Sequence, residues 1–167
     1  SRSAAGKSTL QNAILKLMPP EDVIQYTRIT DQALFYKAED ALVHKILAIE
    51  EAEGMGGAAY SIRNIQTARK ITVAATGKDQ SGRMKTEEYT VKGPVCVMLT
   101  TTQHDIDQET ASRFIFLTVD ESQEMTGAIH AKQREAETLE GLIRSKRQAA
   151  VIAKHHAVQR ILKPLAV

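Results

Sequence analysis

Near its amino end the chain carries the block GKST, and apolar residues at helical spacing follow it directly. In a phosphate-binding loop, a tight turn aims successive backbone N–H groups inward, and the following helix adds the positive end of its dipole. Gly6 would allow close approach to a phosphate, Lys7 would reach the β- and γ-phosphates, and the Ser8 hydroxyl would bind Mg²⁺. The first glycine of the usual G-x-x-x-x-G-K-[ST] pattern falls on Ser1, so an ordinary small-residue turn is the alternative. The candidate nucleotide-binding residues are Gly6, Lys7, Ser8 and Thr9.

Two acids follow a short apolar run farther along the chain. The residues at 46–49 are typical of a buried parallel strand, and Glu50 and Glu51 come directly after them. A metal-dependent ATPase needs a carboxylate at the end of such a strand, close to Mg²⁺ and its water. We therefore expect Glu50 at the metal and Glu51 as the base that orients or deprotonates the attacking water. Aspartate is more usual at the first position, and a strand ended by two solvated acids is the alternative.

Strand-like apolar runs alternate with helical segments through the rest of the chain, which predicts an α/β fold with a parallel sheet. Strands are predicted over 22–30, 46–49, 94–102 and 115–120, and helices over 8–17, 31–43, 56–70, 106–114 and 122–162. The segments ITVAAT and EEYTV flank a polar tip at Ser81-Gly82 and predict a β-hairpin. Tyr60, Ile62, Ile65 and Ala68 are spaced for one face of their helix.

Composition limits the classes of partner. A length of 167 residues suits one domain with a core, and a net charge of +2 means that any nucleic-acid contact must come from local patches. The sequence shows no signal peptide and no apolar run near the roughly 18 residues of a membrane span. Cys96, the single cysteine, is expected to be a small buried hydrophobe, and its lack of a disulfide partner favours a cytoplasmic setting. The chain does not begin with Met, which suggests a piece of a longer protein.

Polar residues also follow the predicted strand that ends in Thr100, Thr101 and Thr102. A hydroxyl there can hydrogen-bond the γ-phosphate or the attacking water, although threonines also favour strands for their own sake. Arg113 lies in the tripeptide SRF, just before the next predicted strand. An arginine in this position can neutralise transition-state charge on a neighbouring subunit's ATP, and a surface salt bridge is the alternative.

The order of GKST, an apolar strand ending in EE, a hairpin, an apolar strand ending in TTT, and SRF resembles the AAA+ ATPases over residues 1–120. The hairpin ahead of the TTT strand resembles the pre-sensor hairpin clade that contains the MCM replicative helicases. The stretches TRITDQALFYKAED, HKILAIEEAEG and TGKDQSGRMKTEEYTVKGPV look like helicase domains found beside primase modules in mobile-element proteins. This resemblance implies a three-layer αβα P-loop core over residues 1–121, a hairpin insertion at about 70–93, and a long C-terminal helical segment over 122–167.

The resemblance also implies ATP and Mg²⁺ as cofactors of a ring-shaped helicase or translocase in DNA replication, with a hexamer expected. The residues implied in its site are Lys7, Ser8, Glu50 and Glu51 in one subunit, Arg113 in the next, and Thr101 or Thr102 as the sensor. The implied partners are single-stranded or forked DNA, further copies of the chain and a primase module, and no membrane.

In that clade the hairpin points into the central channel, where basic side chains would meet DNA phosphates without reading bases. The residues placed to do so here are Lys78, Arg83 and Lys85. Acids beside them dilute the charge, so a solvated loop is the alternative. The clusters RSKRQ and KHHAVQR near the C-terminus are open to the same two interpretations. Among their arginines, Arg144, Arg147 and Arg160 are candidates for a second sensor.

Two departures leave a second class of function open. Ser1 stands where the first loop glycine is usual, and the strand that precedes this loop in AAA+ sheets is missing, which would leave its neighbours unpaired. The alternative function is therefore a non-catalytic assembly or interaction domain with a degenerate nucleotide pocket. A P-loop kinase fits less well, because two acids end the buried strand.

Overall fold

The computed structural model describes residues 6–30, 33–50, 56–78, 83–102, 106 and 108–162, with the backbone alone at 56, 57 and 78. In chain order its elements are α1 (Lys7–Leu15), β1 (Val23–Tyr26), β2 (Lys45–Ile49), α2 (Gly56–Ala68), β3 (Lys70–Lys78), β4 (Met84–Lys92), β5 (Val95–Leu99), α3 (Gln108–Ala111), α4 (Gln123–Ala136) and α5 (Leu139–Ile161). The chain divides into two compact units. Residues 22–116 form one, called here the sheet unit, and residues 1–21 with 117–167 form the other, called here the helical unit. Within the described ranges, no helix has the length and apolar character needed to cross a membrane.

A parallel sheet of three strands, in the order β1-β2-β5, lies at the centre of the sheet unit. Its middle strand β2 is nearly all apolar, because neighbours on both sides leave Leu47, Ala48 and Ile49 almost no exposure. Tyr26 and Leu99, the last residues of the outer strands, both pair with Ile49, the last residue of β2. The predicted strands at 22–30 and 94–102 are therefore shortened where their common partner ends, and the expected α/β fold with a parallel sheet is confirmed.

Helix α2 contributes one face to the core of the sheet unit. Ala58, Ile62 and Ile65 are buried with residues of β2, and the spacing of three and four residues places them on one side of the helix. The prediction for Tyr60 is wrong, since its side chain is 62% exposed. Residues two apart point to nearly opposite sides of a helix, so Tyr60 cannot share the face of Ile62. Ala68, at the end of α2, is also exposed.

The predicted hairpin is confirmed as the antiparallel pair β3–β4, which runs from the pair Lys70–Lys92 out to Lys78–Met84. Its base is fixed to the core by the buried side chains of Ile71 and Val91. Toward the tip most side chains are exposed, and residues 79–82 lie outside the described ranges. The hairpin is therefore anchored at its base, and most of its described side chains beyond the base are exposed to solvent.

The helix predicted at 31–43 is wrong for the residues described there. Residues 33–44 form successive turns closed by i→i+3 bonds, such as the one from the Val43 amide to the Asp40 carbonyl at 3.1 Å. Leu34 and Leu42 are fully buried. Their apolar character reflects packing in the core, which the sequence pattern does not distinguish from a short amphipathic helix.

The strand predicted at 115–120 is also wrong, since these residues form no strand and Ile115 and Leu117 are 92% and 72% exposed. An extended segment forms a strand only where a neighbour accepts and donates its backbone hydrogen bonds, and in the described part of the chain β5 pairs with β2 alone. Cys96 of β5 is exposed rather than buried, because this outer strand turns one side chain away from the core.

The helical unit contains α1, α4 and α5, and the long single helix predicted from residue 122 onward is wrong. A break at Glu137 and Thr138 separates α4 from α5. The Thr138 hydroxyl accepts a hydrogen bond from the Gly141 amide at 3.2 Å and donates to the Glu135 carbonyl at 2.7 Å. Apolar periodicity continues through the break, but an N-cap threonine starts a new helix there.

Helix α5 contacts the C-terminal end of α1 and the turn after it. The Arg160 guanidinium forms a two-pronged ion pair with Glu21, at 2.5 and 3.1 Å, and the His156 ring contacts the Lys16 carbonyl oxygen at 2.9 Å. Helix α5 also contacts α4, where Arg144 of α5 pairs with Glu135 of α4 at 2.5 Å. Two of the basic residues in the C-terminal clusters thus form intramolecular ion pairs.

Acid is expected to weaken the helical unit through these ion pairs. Hydrogen bonds from Arg160 lower the pKa of Glu21 from 4.5 to about 2, and hydrogen bonds from Lys132 and Arg144 lower the pKa of Glu135 from 4.5 to about 2. Because both folded-state pKa values lie below the unfolded ones, the stabilisation is complete above about pH 4.5 and is lost as the pH falls toward 2.

A urea unfolding series between pH 6 and 2 measures this effect. We expect the unfolding midpoint to decline with acid in the wild type and to decline less steeply in the double variant Glu21→Gln, Glu135→Gln. Glu137→Gln, a change between α4 and α5, is the matched control and should follow the wild type. Equal slopes for the double variant and the wild type would contradict the role given to the two ion pairs.

Candidate functional site

The GKST block forms the start of α1. Gly6 is its N-cap, with φ +87° in the left-handed region, where a side chain would be strained although an added Cβ would meet no described atom within 4 Å. Lys7, Ser8 and Thr9 make the first turn, which contains no acidic residue, and the Leu10 amide donates to the Gly6 carbonyl at 2.9 Å. The N-terminal end of α1 therefore combines helix-dipole charge with a lysine, a combination suited to an anion.

Glu50 follows β2 at the carboxyl edge of the sheet. Its amide donates to the Tyr26 carbonyl at 3.0 Å, and its side-chain Oε1 accepts a hydrogen bond from the Gln25 amide nitrogen at 2.9 Å. Gln25 lies next to the last residue of β1. The sheet therefore fixes both the backbone and one carboxylate oxygen of Glu50.

Thr100 lies against Glu50 at the same edge. Its amide donates to the Ile49 carbonyl at 3.1 Å, and its hydroxyl donates to the Glu50 carbonyl oxygen. Thr101 and Thr102 follow and are half-buried. Thr100 therefore directs its hydroxyl to the backbone of the strand-end acid, whereas Thr101 and Thr102 were the predicted sensor residues.

Arg113, just after α3, contacts residues of its own chain. Nη1 donates to the Thr67 hydroxyl of α2, and Nη2 lies 3.4 Å from Oε1 of Glu109. Arg63 of α2 also approaches Glu109, with its Nε 3.9 Å from the same oxygen, and donates to the Thr110 hydroxyl at 2.9 Å. Two guanidinium groups therefore lie within ion-pair distance of a single carboxylate where α2 meets α3.

The hairpin carries the residues expected to contact DNA. Arg83 and Lys85 are exposed beyond the anchored base, whereas the side chain of Lys78 lies outside the described ranges. Lys85 pairs with Glu87 at 3.4 Å, and the hydroxyl of Tyr89 donates to the same carboxylate at 2.8 Å. The Tyr89 hydroxyl and the Lys85 ammonium hold the pKa of Glu87 below its usual range, so this acid remains charged and offsets part of the basic charge.

Some of the candidate site residues lie together, whereas others belong to different compact units or lie outside the described residues. Glu50 and Thr100 are neighbours in the sheet unit, while the GKST residues belong to the helical unit. Glu51 lies outside the described residues. Sequence reasoning missed Gln25, for which the signal was a polar side chain inside an otherwise apolar strand at the functional edge. It also missed the contacts that Arg63 and Thr67 of α2 make around Arg113. The spacing of these two residues in the sequence matches no recognisable motif.

The oxygen ligands expected for Mg²⁺ are the Ser8 hydroxyl and the Glu50 carboxylate, which are hard donors of the kind this ion prefers. Within the described ranges, no cluster of three or more His, Cys, Asp and Glu side chains is arranged for a metal.

Comparison with protein-family models matches residues 1–163 to the family described as the MTBMA_p00010 P-loop domain. The match covers almost the whole chain, including both compact units. A search of the curated proteins gives no match.

Proposed function

Since the chain belongs to the MTBMA_p00010 P-loop domain family, we propose that it binds ATP with Mg²⁺ and hydrolyses it. The observation that carries this proposal is the left-handed Gly6 at the start of α1, followed at once by Lys7 and Ser8. Backbone amides at a helix N-terminus bind phosphate oxygens, and the ammonium group of Lys7 adds a full positive charge. The match to a P-loop family over residues 1–163 supports this interpretation of the turn, because an isolated helix N-terminus alone would not indicate a nucleotide.

Glu50 and Glu51, which follow β2 in the sequence, would supply the second half of the proposed site. Ser8 and Glu50 would hold Mg²⁺, which when bound neutralises charge on the phosphates. The Gln25 amide holds the Glu50 carboxylate in one orientation. Glu51, the next residue in the chain, would accept a proton from the attacking water or orient it.

Steady-state hydrolysis of Mg-ATP by the full-length protein tests this proposal. We expect Glu51→Gln to lower kcat by about 10²- to 10⁴-fold, because the amide cannot act as a base, while ATP affinity is retained. Glu53→Gln, two positions away, is the matched control and should hydrolyse ATP at the wild-type rate. A Glu51→Gln variant with wild-type kcat, or a wild-type protein that does not hydrolyse ATP, would contradict the ATPase proposal.

We further propose that the ATPase acts on single-stranded or forked DNA as an oligomeric ring, as a replicative helicase or translocase. What supports this is the hairpin, anchored by Ile71 and Val91 and exposing Arg83 and Lys85 beyond its base. A projecting hairpin with basic side chains and no aromatic residue among its exposed described positions 83–88 suits phosphate contact rather than base stacking.

DNA binding at several salt concentrations tests the hairpin. Each phosphate contact on single-stranded DNA adds about 0.7 to the slope of log affinity against log salt, so we expect Arg83→Ala with Lys85→Ala to reduce the slope by about 1.4. Lys70→Ala, at the base of the same hairpin, is the control and should leave the slope unchanged. If the double variant binds DNA like the wild type, the hairpin does not contact the backbone.

A second candidate is the non-catalytic assembly domain, and one observation favours it. The helices α4 and α5 expose a row of apolar side chains, a feature that often marks a protein interface. These are Met125, Ile129, Leu139, Leu142 and Ile143. The hydrolysis assay separates the two candidates, because an assembly domain would show no turnover that Glu51→Gln removes.

A further inference from the structure

The guanidinium of Arg113 is held by two partners on its own subunit. Nη1 donates to the Thr67 hydroxyl near the end of α2, and Nη2 approaches Oε1 of Glu109 one turn back along the chain. Arginine has five N–H donors in a planar fork, so two contacts define the orientation of the plane while other donors remain. The side chain is 30% exposed. An exposed arginine would ordinarily sample many rotamers, and these contacts restrict it to few.

Glu109 is held in turn by Arg63. The Nε of Arg63 lies 3.9 Å from the same carboxylate oxygen, and its Nη1 donates to the Thr110 hydroxyl at 2.9 Å. Arg63 is only 18% exposed, whereas Glu109 is 65% exposed. The better buried arginine therefore limits the positions that the more exposed carboxylate can take.

Helix α2 carries the two residues that contact Glu109 and Arg113 from outside their own segment. Arg63 and Thr67 are four residues apart, so they lie on one face of the helix, toward α3. One of them holds Glu109 and the other contacts Arg113 directly. The chain Arg63–Glu109–Arg113–Thr67 thus closes into a loop of contacts between two helices.

We propose that Thr67 and Glu109 are positioning residues for Arg113, with Arg63 holding Glu109 in place. The inference rests on the proposed ATPase function and on the role that the AAA+ resemblance implies for Arg113, which is to stabilise charge on the nucleotide of a neighbouring subunit. A displacement of about 1 Å in a group that stabilises a transition state can lower the rate by about 100-fold, so orientation matters more here than the modest stability of exposed ion pairs. Loss of the Thr67 or Glu109 contact leaves the charge of Arg113 intact but no longer restricts the orientation of its guanidinium group.

Thr67→Val tests the proposal, because valine keeps the shape of threonine and removes its hydroxyl. We expect kcat for Mg-ATP to fall about tenfold, with KM and ATP affinity unchanged. Thr67→Ser, which restores a hydroxyl, should recover most of the rate. Thr72→Val is the matched control: it also removes a hydrogen-bonded threonine hydroxyl, in this case one that lies 3.0 Å from the Thr90 hydroxyl, and it should leave kcat unchanged.

A second measurement does not depend on turnover. The arginine reagent 4-hydroxyphenylglyoxal is applied to the intact protein, and labelling at Arg113 is compared with labelling at Arg147 by peptide mass spectrometry. We expect Thr67→Val and Glu109→Gln each to raise the relative labelling of Arg113 several-fold, and Thr72→Val to leave it as in the wild type.

The outcomes separate this inference from the proposed function. Wild-type labelling of Arg113 in Thr67→Val and Glu109→Gln, or wild-type kcat in Thr67→Val, overturns the positioning role and leaves the ATPase standing. A lower thermal unfolding midpoint in Thr67→Val with unchanged kcat means that the contacts only join α2 to α3, and it also overturns the positioning role. Absence of hydrolysis in the wild type overturns the proposed function itself.

Discussion

Arg113→Ala is expected to lower kcat for Mg-ATP by at least about 10³-fold while ATP binding is retained, since an arginine that stabilises transition-state charge in trans is worth about 10³ to 10⁵ in rate. Arg113 follows α3, and its guanidinium already lies in a defined orientation against Thr67 and Glu109. Fluorescent-nucleotide binding and steady-state turnover measure the two quantities separately. Arg134→Ala, which removes an exposed arginine of α4, is the control and should retain full turnover.

Mixing two inactive variants decides whether Arg113 acts on a neighbour. In an equimolar mixture of Arg113→Ala and Glu51→Gln subunits, about a quarter of head-to-tail interfaces combine an intact acid with an intact arginine. Activity should therefore reappear in the mixture if subunits exchange. If the mixture stays inactive although exchange is shown by a labelled subunit, or if Arg113→Ala loses ATP binding, Arg113 belongs to its own subunit's site.

Gly141→Ala is expected to destabilise the helical unit strongly, because a Cβ at this position meets backbone atoms. A Cβ at this position would lie 2.4 Å from the carbonyl oxygens of Glu135 and Ala136, so α5 must move away from the end of α4. Overpacking of this kind costs about 1–3 kcal/mol, and we expect about 2–3 kcal/mol because both contacts are with backbone. Urea unfolding followed by helical circular dichroism measures the change.

Gly127→Ala provides the matched control in α4. A Cβ there meets nothing within 4 Å, and alanine is the better helix former by about 0.5–1 kcal/mol, so this variant should be more stable than the wild type. The same glycine-to-alanine substitution in neighbouring helices is therefore expected to change the free energy of unfolding in opposite directions. A Gly141→Ala variant as stable as Gly127→Ala would show that the two helices do not approach closely at Gly141.

Elements with a local cause could be predicted from the sequence. The strand β2 follows from an unbroken apolar run, and the hairpin follows from two strand-like segments around a Ser-Gly tip. The residues at 115–120 look equally strand-like, yet a strand also needs a neighbour, which local pattern does not supply. The end of α4 was missed for a related reason: apolar spacing continues across Thr138, and the cap that stops the helix is a side-chain hydrogen bond.

The same division holds for the candidate site. Gly6 and Glu50 were identified because each belongs to a short pattern whose spacing follows from its chemistry. Gln25 and Thr67 were not, because their roles depend on which strand or helix lies beside them. Gln25 becomes meaningful only once β1 is paired with β2, and Thr67 only once α3 packs on α2. Motifs thus indicate the groups that react, whereas tertiary contacts determine the groups that orient them.

Only Arg69 separates α2 from the hairpin strand β3, and its carbonyl accepts a hydrogen bond from the Gly93 amide at 2.7 Å. A helix moves as a stiff rod, so a force on the hairpin that tilts α2 also displaces the Thr67 hydroxyl in its last turn. In the proposed helicase, movement of DNA at the hairpin and ATP hydrolysis at the next subunit would then be mechanically coupled through α2 of one protomer. The ratio of DNA-stimulated to basal hydrolysis in Thr67→Val measures that linkage, and a ratio equal to that of the wild type would show that none exists.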